Sequence, residues 1–551
     1  QGLRGAKLMP KRSLAQISIR SPEFVDPGCL EPGTVPWLLA RRGPRLFPAW
    51  LFKGWRGEKR RGRPAWPAAI LVKLICLRWT GEGMPRTESI KRAKRDTSWR
   101  AALGLEFGDP TPTERTVRDF ERFLRQRHPD TDTPRYLMLH EHVVRTCLGL
   151  GVAGDDAIWA TDSTPMLCFG AVQDTVRLLG DGLRSLGKSW ARATRTPLEV
   201  VARQWGLDLL LAKSTKGAFA IDWRDRDQRA GLFDGLARQV VAVVQTIRRE
   251  VVSLRPGRRK RILRRCRHLL KVIGDDLEGD EEGRLVVARR VTRDRLVSIL
   301  DPQARHGHKS RSRTFHGYKM HVLGDVVSGL IAAVAVTRGN EHDGSPAPRL
   351  LRRAKALHDD IECLLADTAY GGARLRHVCQ HLTGVGILAP PPPVNRPKDT
   401  LGRYDTDIDF DSMTATCVAG VESTDWVWVY SKEHGVHVPS FRWPKETCYA
   451  CGQRSACIGK RQGGRRMRLH AYEQELRQAR EDWKSPAVRA RYRKRSECER
   501  LVNEPIRHGG RQARGFGLGA ANLQAHVIVM RCNLGLLARR LAEEERLTQV
   551  A

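Results

Sequence analysis

Hydrophobic positions recur with two different spacings along this chain of 551 residues. Apolar residues three or four positions apart predict amphipathic helices. The main helical segments are 67–77, 113–124, 232–247, 350–357, 468–505 and 520–541. Short runs rich in β-branched and other apolar residues predict strands. They lie at 158–162, 314–323, 330–337 and 361–366. Strands that alternate with helices indicate an α/β layered protein.

The order of these elements predicts an α/β core that is interrupted by a large helical insertion and a large cysteine-containing insertion, and that follows an all-α N-terminal domain. Five regions are expected. They are a flexible leader at 1–45, a helical DNA-binding domain at 46–150, a catalytic core built from 151–170, 301–390 and 486–545, a helical insertion at 171–300, and a cysteine-containing insertion at 391–485.

The net charge of the chain indicates which class of molecule it binds. Lys and Arg number 97 against 61 Asp and Glu, a formal net charge of +36. Such an excess favours a polyanion, most often nucleic acid, because bound cationic side chains release the counterions of phosphates. A basic but uninvolved surface, or a compositional bias towards Arg, explains the same excess. In the N-terminal region, basic residues between short helices fit either DNA binding or a solvated bundle face. They are Arg86, Lys91, Arg92, Lys94 and Arg95.

Other features of the composition indicate the cellular compartment of the protein. No apolar run reaches the roughly 20 residues of a membrane span, and the first twenty residues lack the apolar centre of a signal peptide. The 13 cysteines are an odd number, which predicts reduced thiols inside a cell. Four of them, Cys417, Cys448, Cys451 and Cys457, contain one Cys-x-x-Cys pair and match the ligand number of structural zinc. Reduced structural cysteines are the alternative.

Two aspartates follow apolar runs in the same way. Asp162 ends the run that begins at Ile158, and Asp367 ends the run that begins at Ile361, so each is expected at the C-terminal end of a strand. With a glutamate on a packed helix, they form an oxygen ligand set suited to Mg²⁺ or Mn²⁺. An aspartate in this position also serves as a helix cap or turn former. Asp301, Asp325 and Asp343 are interpreted as turn residues.

Several short motifs occur in an order that resembles a known family. The central motifs are Trp159–Thr164, Gly317–Lys319, Thr337–Asn340, Leu365–Gly371, and Tyr492, Arg495 and Glu499 in the spacing Tyr-x-x-Arg-x-x-x-Glu. Gly62-Arg63-Pro64 and Trp99–Leu105 precede them, and Gly510–Arg514 and Asn533-Leu534 follow them. This series resembles the DDE transposases, and more closely the bacterial insertion-sequence transposases with an RNase H-like (retroviral-integrase-like) core.

The resemblance implies a catalytic site of Asp162, Asp367 and Glu499 that binds two Mg²⁺ or Mn²⁺ ions. It implies cleavage at terminal inverted repeats and transfer of the 3′-hydroxyl to target DNA by a dimer or higher oligomer, in the bacterial cytoplasm at the nucleoid. The residues expected to contact DNA are Tyr492, Arg495, Lys319, Arg507, Arg511 and Arg514.

One position departs from the family pattern. The family often has a lysine seven residues after the glutamate, and here Ile506 stands at that position, beside Arg507. Glu497 and Glu504 compete with Glu499 as the third acid, but Glu497 does not fit the spacing from Tyr492. Two other functions remain open on the residues alone. One is a metal-dependent DNA nuclease without strand transfer, and the other is an inactive DNA-binding relic.

Overall fold

The computed structural model describes residues 18–55, 64–310, 312–394 and 396–550. The chain divides into two units, the first made of 1–157, 162–342 and 499–551 and the second of 158–161 and 343–498. Residues 1–17 of the expected leader and Gly62-Arg63 of the family motif lie outside the described residues. No helix in the described part of the chain is long and apolar enough to cross a membrane.

The N-terminal part of the first unit is all helical, as predicted. Its helices are α1 Pro22–Val25, α2 Val35–Leu46, α3 Ala68–Leu77, α4 Arg86–Arg95, α5 Thr97–Leu103, α6 Glu114–Leu124 and α7 Arg135–Gly149. Pro67 precedes α3, where its missing N–H costs no helical hydrogen bond. Thr113 caps α6, because its hydroxyl accepts a hydrogen bond from the Thr116 N–H at 3.2 Å.

The expectation of an extended leader up to residue 45 is wrong for its second half. Helix α2 begins after Thr34, whose side chain accepts a hydrogen bond from the Trp37 N–H. Trp37, Leu38 and Leu39 are buried, and the helix packs against α3 and α5. The prediction failed because Pro, Gly and Arg give this region the composition of a loop. The helix forms because the apolar side of α2 packs into the core.

Strand β1 (Trp159–Leu167) leads into a helical insertion with its own core. Its elements are α8 Thr175–Thr194, α9 Leu198–Trp205, α10 Arg226–Glu250, α11 Pro256–Asp276, β2 Leu277–Gly279 and β3 Leu285–Val287. The predicted helical period over 232–247 lies within α10, and Val240, Val244 and Ile247 are buried. The insertion therefore folds around an apolar cluster contributed mainly by α8, α10 and α11.

Three antiparallel strands complete the sheet of the first unit. They are β4 Arg305–His308, β5 Thr314–Asp325 and β6 Ile331–Arg338. β5 pairs with β4 through residues 314–317 and with β6 through residues 318–324, and the β5–β6 register pairs Met320 with Val336. Asp325 accepts hydrogen bonds from the N–H groups of Val327 and Ser328, so it is a turn residue, as interpreted.

The second unit mixes helices with three small groups of strands. Its elements are α12 Ala347–Lys355, β7 Cys363–Leu365, α13 Ala373–Thr383, β8 Gly386–Leu388, β9 Asp407–Asp409, β10 Thr414–Thr416, β11 Glu422–Ser423, β12 Trp426–Ser431, β13 Val436–Arg442, α14 Lys445–Tyr449, α15 Arg454–Cys457, β14 Arg466–Arg468, α16 Glu473–Lys484 and α17 Pro486–Arg493. β7 pairs in parallel with β8 and with the first residues of β1. The other two groups, β9 to β11 and β12 to β14, are antiparallel.

The prediction of one long helix over 468–505 is wrong. α16 ends at Lys484, and Ser485 caps α17 by accepting a hydrogen bond from the Val488 N–H. Pro486 stands at the first position of α17, where it cannot donate to a preceding turn. A short 3₁₀ turn, Lys494–Glu497, then separates α17 from α18 (Cys498–Pro505). The polar composition of the segment concealed these breaks.

The last helix, α19 (Leu518–Val550), packs along β6 and against α2, α3 and α7. Two of its asparagines bond the backbone of β6. Asn533 accepts from the Ile331 N–H at 3.1 Å and donates to the Ile331 carbonyl at 2.9 Å. Asn522 accepts from the Val336 N–H at 3.0 Å. These side chains satisfy backbone groups of β6 that no neighbouring strand reaches.

Replacing Asn533 by Ala is expected to destabilise the first unit. Asn533 is fully buried, and its loss leaves the Ile331 N–H without a partner, while the Ile331 carbonyl keeps His140 Nε2 at 3.2 Å. One orphaned buried group costs about 1–3 kcal/mol. Thermal unfolding should therefore begin several degrees earlier. Gln245→Ala, which removes an amide from an exposed position of α10, is the control and should leave the transition unchanged.

Candidate active site

Asp162 lies inside β1 rather than at its end, contrary to the expectation. The strand continues for five residues to Leu167. The Leu167 N–H donates to the Arg511 carbonyl at 2.8 Å, and the Ala513 N–H donates to the Leu167 carbonyl at 2.9 Å. This backbone partner, more than 340 residues away along the chain, keeps the strand extended beyond Pro165. Asp162 itself is half-buried and accepts a hydrogen bond from the Ser163 N–H at 2.7 Å.

In the parallel β1–β7 pair, the two aspartates follow the paired residues at the same distance along the chain. Ala160 of β1 lies opposite Leu365 of β7. Asp162 and Asp367 each follow their member of this pair by two residues. Asp367 comes after the end of β7, as expected, and is half-buried. It also caps the turn Thr368–Tyr370 by accepting from the Ala369 N–H at 3.0 Å, so the alternative reading of a strand-end aspartate as a cap applies here as well.

Glu499 is in the first turn of α18 and its side chain is exposed. Among the described residues, its carboxylate has no hydrogen-bond or ion-pair partner. The two competing acids differ in this respect. Glu497 lies 3.7 Å from the Lys494 ammonium, and Glu504 lies 3.4 Å from His508 and 3.6 Å from Arg507. Of the three glutamates, Glu499 thus has the carboxylate with all its oxygen lone pairs open to a ligand.

Gly317 of the Gly-Tyr-Lys motif allows β1 and β5 to approach closely. A Cβ at this position would lie 2.3 Å from the Met166 carbonyl oxygen and 2.6 Å from the Cys168 nitrogen. Its φ of +150° is also unfavourable for other residues. The Cys168 N–H donates to the His316 carbonyl at 2.9 Å across this contact. The motif glycine therefore fixes the position of the end of β1 within the first unit.

Tyr318, the next residue of that motif, anchors the same region. Its hydroxyl donates to Asp301, which also accepts from the Gly517 N–H at 3.0 Å. Burial raises the pKa of both Asp301 and Tyr318. Asp301 is fully buried, so it is a structural residue that joins β5 to the start of α19 as well as a turn residue.

Arg511 contacts β1 through its side chain as well as through its backbone carbonyl. Its Nη1 donates to the Thr164 hydroxyl at 2.9 Å and to the Pro165 carbonyl at 3.3 Å. Thr164 is two residues after Asp162. The side chain of Arg511 is exposed, and its other donors have no partner among the described residues. This contact between 164 and 511 had no signal in the sequence, because no local pattern relates two segments so far apart.

The other expected DNA contacts of the first unit differ in their surroundings. Arg507 is exposed, and its guanidinium lies 3.6 Å from the Glu504 carboxylate. Lys319 is half-buried and donates to the Glu341 carbonyl at 2.9 Å. Arg514 is half-buried and lines a concave surface with Arg78, Arg86 and Glu121. Arg507 and Arg511 are thus the most open to an anion.

Tyr492 and Arg495 belong to the second unit. Tyr492 is in α17, half-buried, and its ring meets Trp483 edge-on with a centroid distance of 4.9 Å. Arg495 is in the 3₁₀ turn Lys494–Glu497, directly before α18. The spacing Tyr-x-x-Arg-x-x-x-Glu therefore crosses three consecutive helical elements instead of one continuous helix.

Helix α11 carries a run of basic residues on an exposed face. Its exposed cations include Arg258, Arg259, Lys260, Arg261 and Arg264. Within the described part of the chain, none of these five forms an ion pair with an acid. Burial is the main reason that the pKa of the neighbouring His268 is lowered to about 4, and the positive charges of nearby arginines such as Arg264 add to this effect. This face is suited to a phosphate backbone, which would supply the missing negative charge.

Two known protein families match parts of the chain. The family described as "Transposase domain (DUF772)" matches residues 51–122, and the family described as "Transposase DDE domain" matches residues 416–538. The first match covers α3 to α6, and the second covers the cysteine region, α16 to α18 and part of α19. Curated proteins and solved structures show no match.

Both matched families are transposases, which act on DNA. The two matches, on separate parts of the chain, indicate an insertion-sequence transposase of the DDE type. The resemblance inferred from the motifs is therefore confirmed at the level of the family.

Proposed function

We propose that this transposase cleaves DNA at the ends of its mobile element and joins the exposed 3′-hydroxyl to target DNA. Asp162, Asp367 and Glu499 would hold two Mg²⁺ or Mn²⁺ ions in an RNase H-like core. The observation that carries the proposal is the parallel register of Ala160 with Leu365, after which an aspartate follows at the same offset on both strands.

The proposed ligand set fits hard divalent cations. Its donors are carboxylate oxygens, which Mg²⁺ and Mn²⁺ prefer over nitrogen or sulfur. Glu499 supports this assignment because its carboxylate is exposed and has no partner among the described residues. When bound, two such ions would supply Lewis-acid activation of the attacking oxygen and stabilise the leaving oxygen.

The residues of the chain would orient the DNA for two successive displacements. In the first, water attacks the phosphorus at the element's end, the P–O3′ bond breaks, and the 3′-oxygen leaves as a hydroxyl. In the second, that hydroxyl attacks a target phosphodiester and displaces the target's own 3′-oxygen. Arg511 would hold a phosphate beside β1 through its unused donors, since Thr164 and Pro165 fix its Nη1.

Other basic residues would position the rest of the DNA. We assign backbone contacts to Tyr492, Arg495, Lys319, Arg507 and Arg514, and recognition of the terminal inverted repeats to helices α3 to α6. Because two element ends must be processed together, we expect a homodimer or higher oligomer on DNA. The reaction would take place on the bacterial nucleoid in the cytoplasm.

A joining assay tests the reaction. Labelled duplexes that carry the inverted repeats flanking its own gene, either intact or already cleaved at the 3′ end, are incubated with a supercoiled plasmid and Mg²⁺ or Mn²⁺. The expected product is labelled plasmid, formed from both substrates and abolished by a chelator. Cleavage of the intact duplex without joining of the pre-cleaved one would indicate a nuclease. DNA binding with neither product would indicate an inactive relic.

A further inference from the structure

The four cysteines of the second unit come together around one small pocket. Cys417 follows β10, Cys448 is in α14, Cys451 follows α14, and Cys457 ends α15. All four line the same pocket, together with Trp443 and Arg465. The spacings between them are irregular in sequence, and it is the fold of this region that brings the four thiols together.

Donors from the backbone and from one arginine are aimed at three of these sulfurs. The Gln453 N–H points to Cys451 Sγ at 3.4 Å, and the Arg465 N–H points to Cys448 Sγ at 3.3 Å. The Arg465 guanidinium donates to Cys457 Sγ at 3.1 Å. A neutral thiol is a weak acceptor, whereas a thiolate bound to a metal carries negative charge and attracts such donors.

Arg465 is almost fully buried, at 7% exposure, and forms no ion pair with a carboxylate among the described residues. The charge of Asp405 acts on it from a greater distance, but Asp405 is itself paired with Arg396. The Arg465 guanidinium also donates to the Gly402 carbonyl and the Thr406 hydroxyl, both at 2.8 Å. A buried cation needs compensating negative charge. Four thiolates around Zn²⁺ carry a net charge of −2, which would supply it.

The hydrophobic core of this region is small. Its buried members are Ala415, Phe441, Trp443, Met467 and Leu469. Short strands and helices around so small a core commonly depend on a metal or disulfides for stability. No three of the four sulfurs lie within 4.8 Å of one another. Tetrahedral binding, with Zn–S distances of about 2.3 Å, would therefore draw their loops together.

The geometry points to a structural tetrathiolate zinc site formed by Cys417, Cys448, Cys451 and Cys457, with Arg465 as its positioning residue. The site lies within the second unit and does not depend on the chemistry proposed for Asp162, Asp367 and Glu499. Its four protein ligands leave no open position, so its role is to stabilise the fold.

Metal analysis of the chain of residues 1–551, purified without chelators from cells supplied with zinc, tests the site. The expected content is one zinc per chain, released when an organomercurial titrates the thiols. Replacement of the zinc by Co²⁺ should give the thiolate charge-transfer and tetrahedral d–d bands of a sulfur-ligated ion. Zinc content well below one per chain, or cobalt bands of an octahedral oxygen and nitrogen site, would overturn the proposal.

Variants locate the ion. Cys451→Ser should abolish the zinc, while Cys29→Ser, which removes a thiol of the first unit, should retain it. Two other groups in the second unit have ligand atoms within 4.8 Å of one another and are competing zinc sites. They are His377, His381 and Glu475, and Glu433, His434 and His470. Zinc that survives Cys451→Ser but is lost in His377→Gln or His434→Gln would refute the assignment. If Cys451→Ser does not fold, the mercurial titration and the cobalt spectrum of the unaltered chain decide the question.

Discussion

Asp162→Asn, Asp367→Asn and Glu499→Gln are each expected to lower the rate of DNA cleavage by at least about a thousandfold. An amide keeps the size of the carboxylate but removes its charge, so a divalent ion is bound more weakly. The ions are asked to supply several kcal/mol of transition-state stabilisation, and about 4 kcal/mol corresponds to roughly a thousandfold in rate. The measurement is single-turnover cleavage of an element end in Mg²⁺.

DNA binding by the same variants should be unchanged or slightly stronger, because a negative charge has been removed near the phosphates. Asp359→Asn is the matched control for the aspartates, since Asp359 is exposed and lies shortly before β7. Glu497→Gln and Glu504→Gln are the controls for Glu499. Wild-type cleavage by a variant of any of the three proposed acids would remove that residue from the site. Loss of cleavage in Glu504→Gln but not in Glu499→Gln would reassign the third acid.

A change of ligand chemistry adds a second measurement on the same site. Asp367→Cys replaces a hard oxygen ligand by a softer sulfur. Mn²⁺ accepts sulfur ligands more readily than Mg²⁺ does. Cleavage by this variant should therefore be recovered in part by Mn²⁺ and not by Mg²⁺. A variant that is equally inactive with both ions, although it binds DNA normally, would argue against direct metal ligation by residue 367.

Glu121→Gln is expected to destabilise the N-terminal helices by about 3–5 kcal/mol. Glu121 Oε1 accepts from Arg78 Nη1 at 2.8 Å, and its Oε2 accepts from Arg86 Nε at 2.9 Å. The side chains of Arg78 and Glu121 are 5% and 10% exposed, so little water reaches this ion pair. Burial lowers the pKa of Arg78 to about 10, and the charge of Glu121 opposes that shift. Without Glu121, two neighbouring cations would remain without a counter-charge.

Hydrogen exchange of α3 and α6 measures this effect locally, which matters in a chain of two units where unfolding need not be a single transition. A loss of 3–5 kcal/mol corresponds to exchange faster by roughly two to four orders of magnitude for amides that open with this bundle. Glu114→Gln, an exposed position in the first turn of the same helix, is the matched control. Unchanged exchange in Glu121→Gln would show that the arginines find other partners.

Much of the fold follows from local patterns in the sequence. The apolar spacing of α3, α6 and α10 predicted those helices, and the run at 330–337 predicted β6. Patterns of this kind work because helix and strand periods depend on residues within a few positions of one another. The same reasoning failed at 468–505, where Ser485 and Pro486 divide a polar segment into separate helices.

The sequence proposes the acids of the candidate site as a list of residues, which stays a prediction, and it gives no information on their arrangement. The motif order placed Asp162, Asp367 and Glu499 in the sequence, and the family matches confirm the class of protein. The sequence wrongly ended the first strand at Asp162. β1 continues to Leu167 because its backbone pairs with Arg511 and Ala513, a contact that no local pattern reveals.

The sequence by itself therefore determined the basic character of the chain, the order of its helices and strands, the acidic residues of its motifs and the presence of four cysteines in one region. Only the tertiary structure decided which segments meet. It joined Thr164 to Arg511, bonded Asn533 to β6, gathered four irregularly spaced thiols around Arg465, and made α2 part of the core. The physical reason is that these contacts join residues far apart along the chain, and their energies exist only after folding has closed the intervening loops.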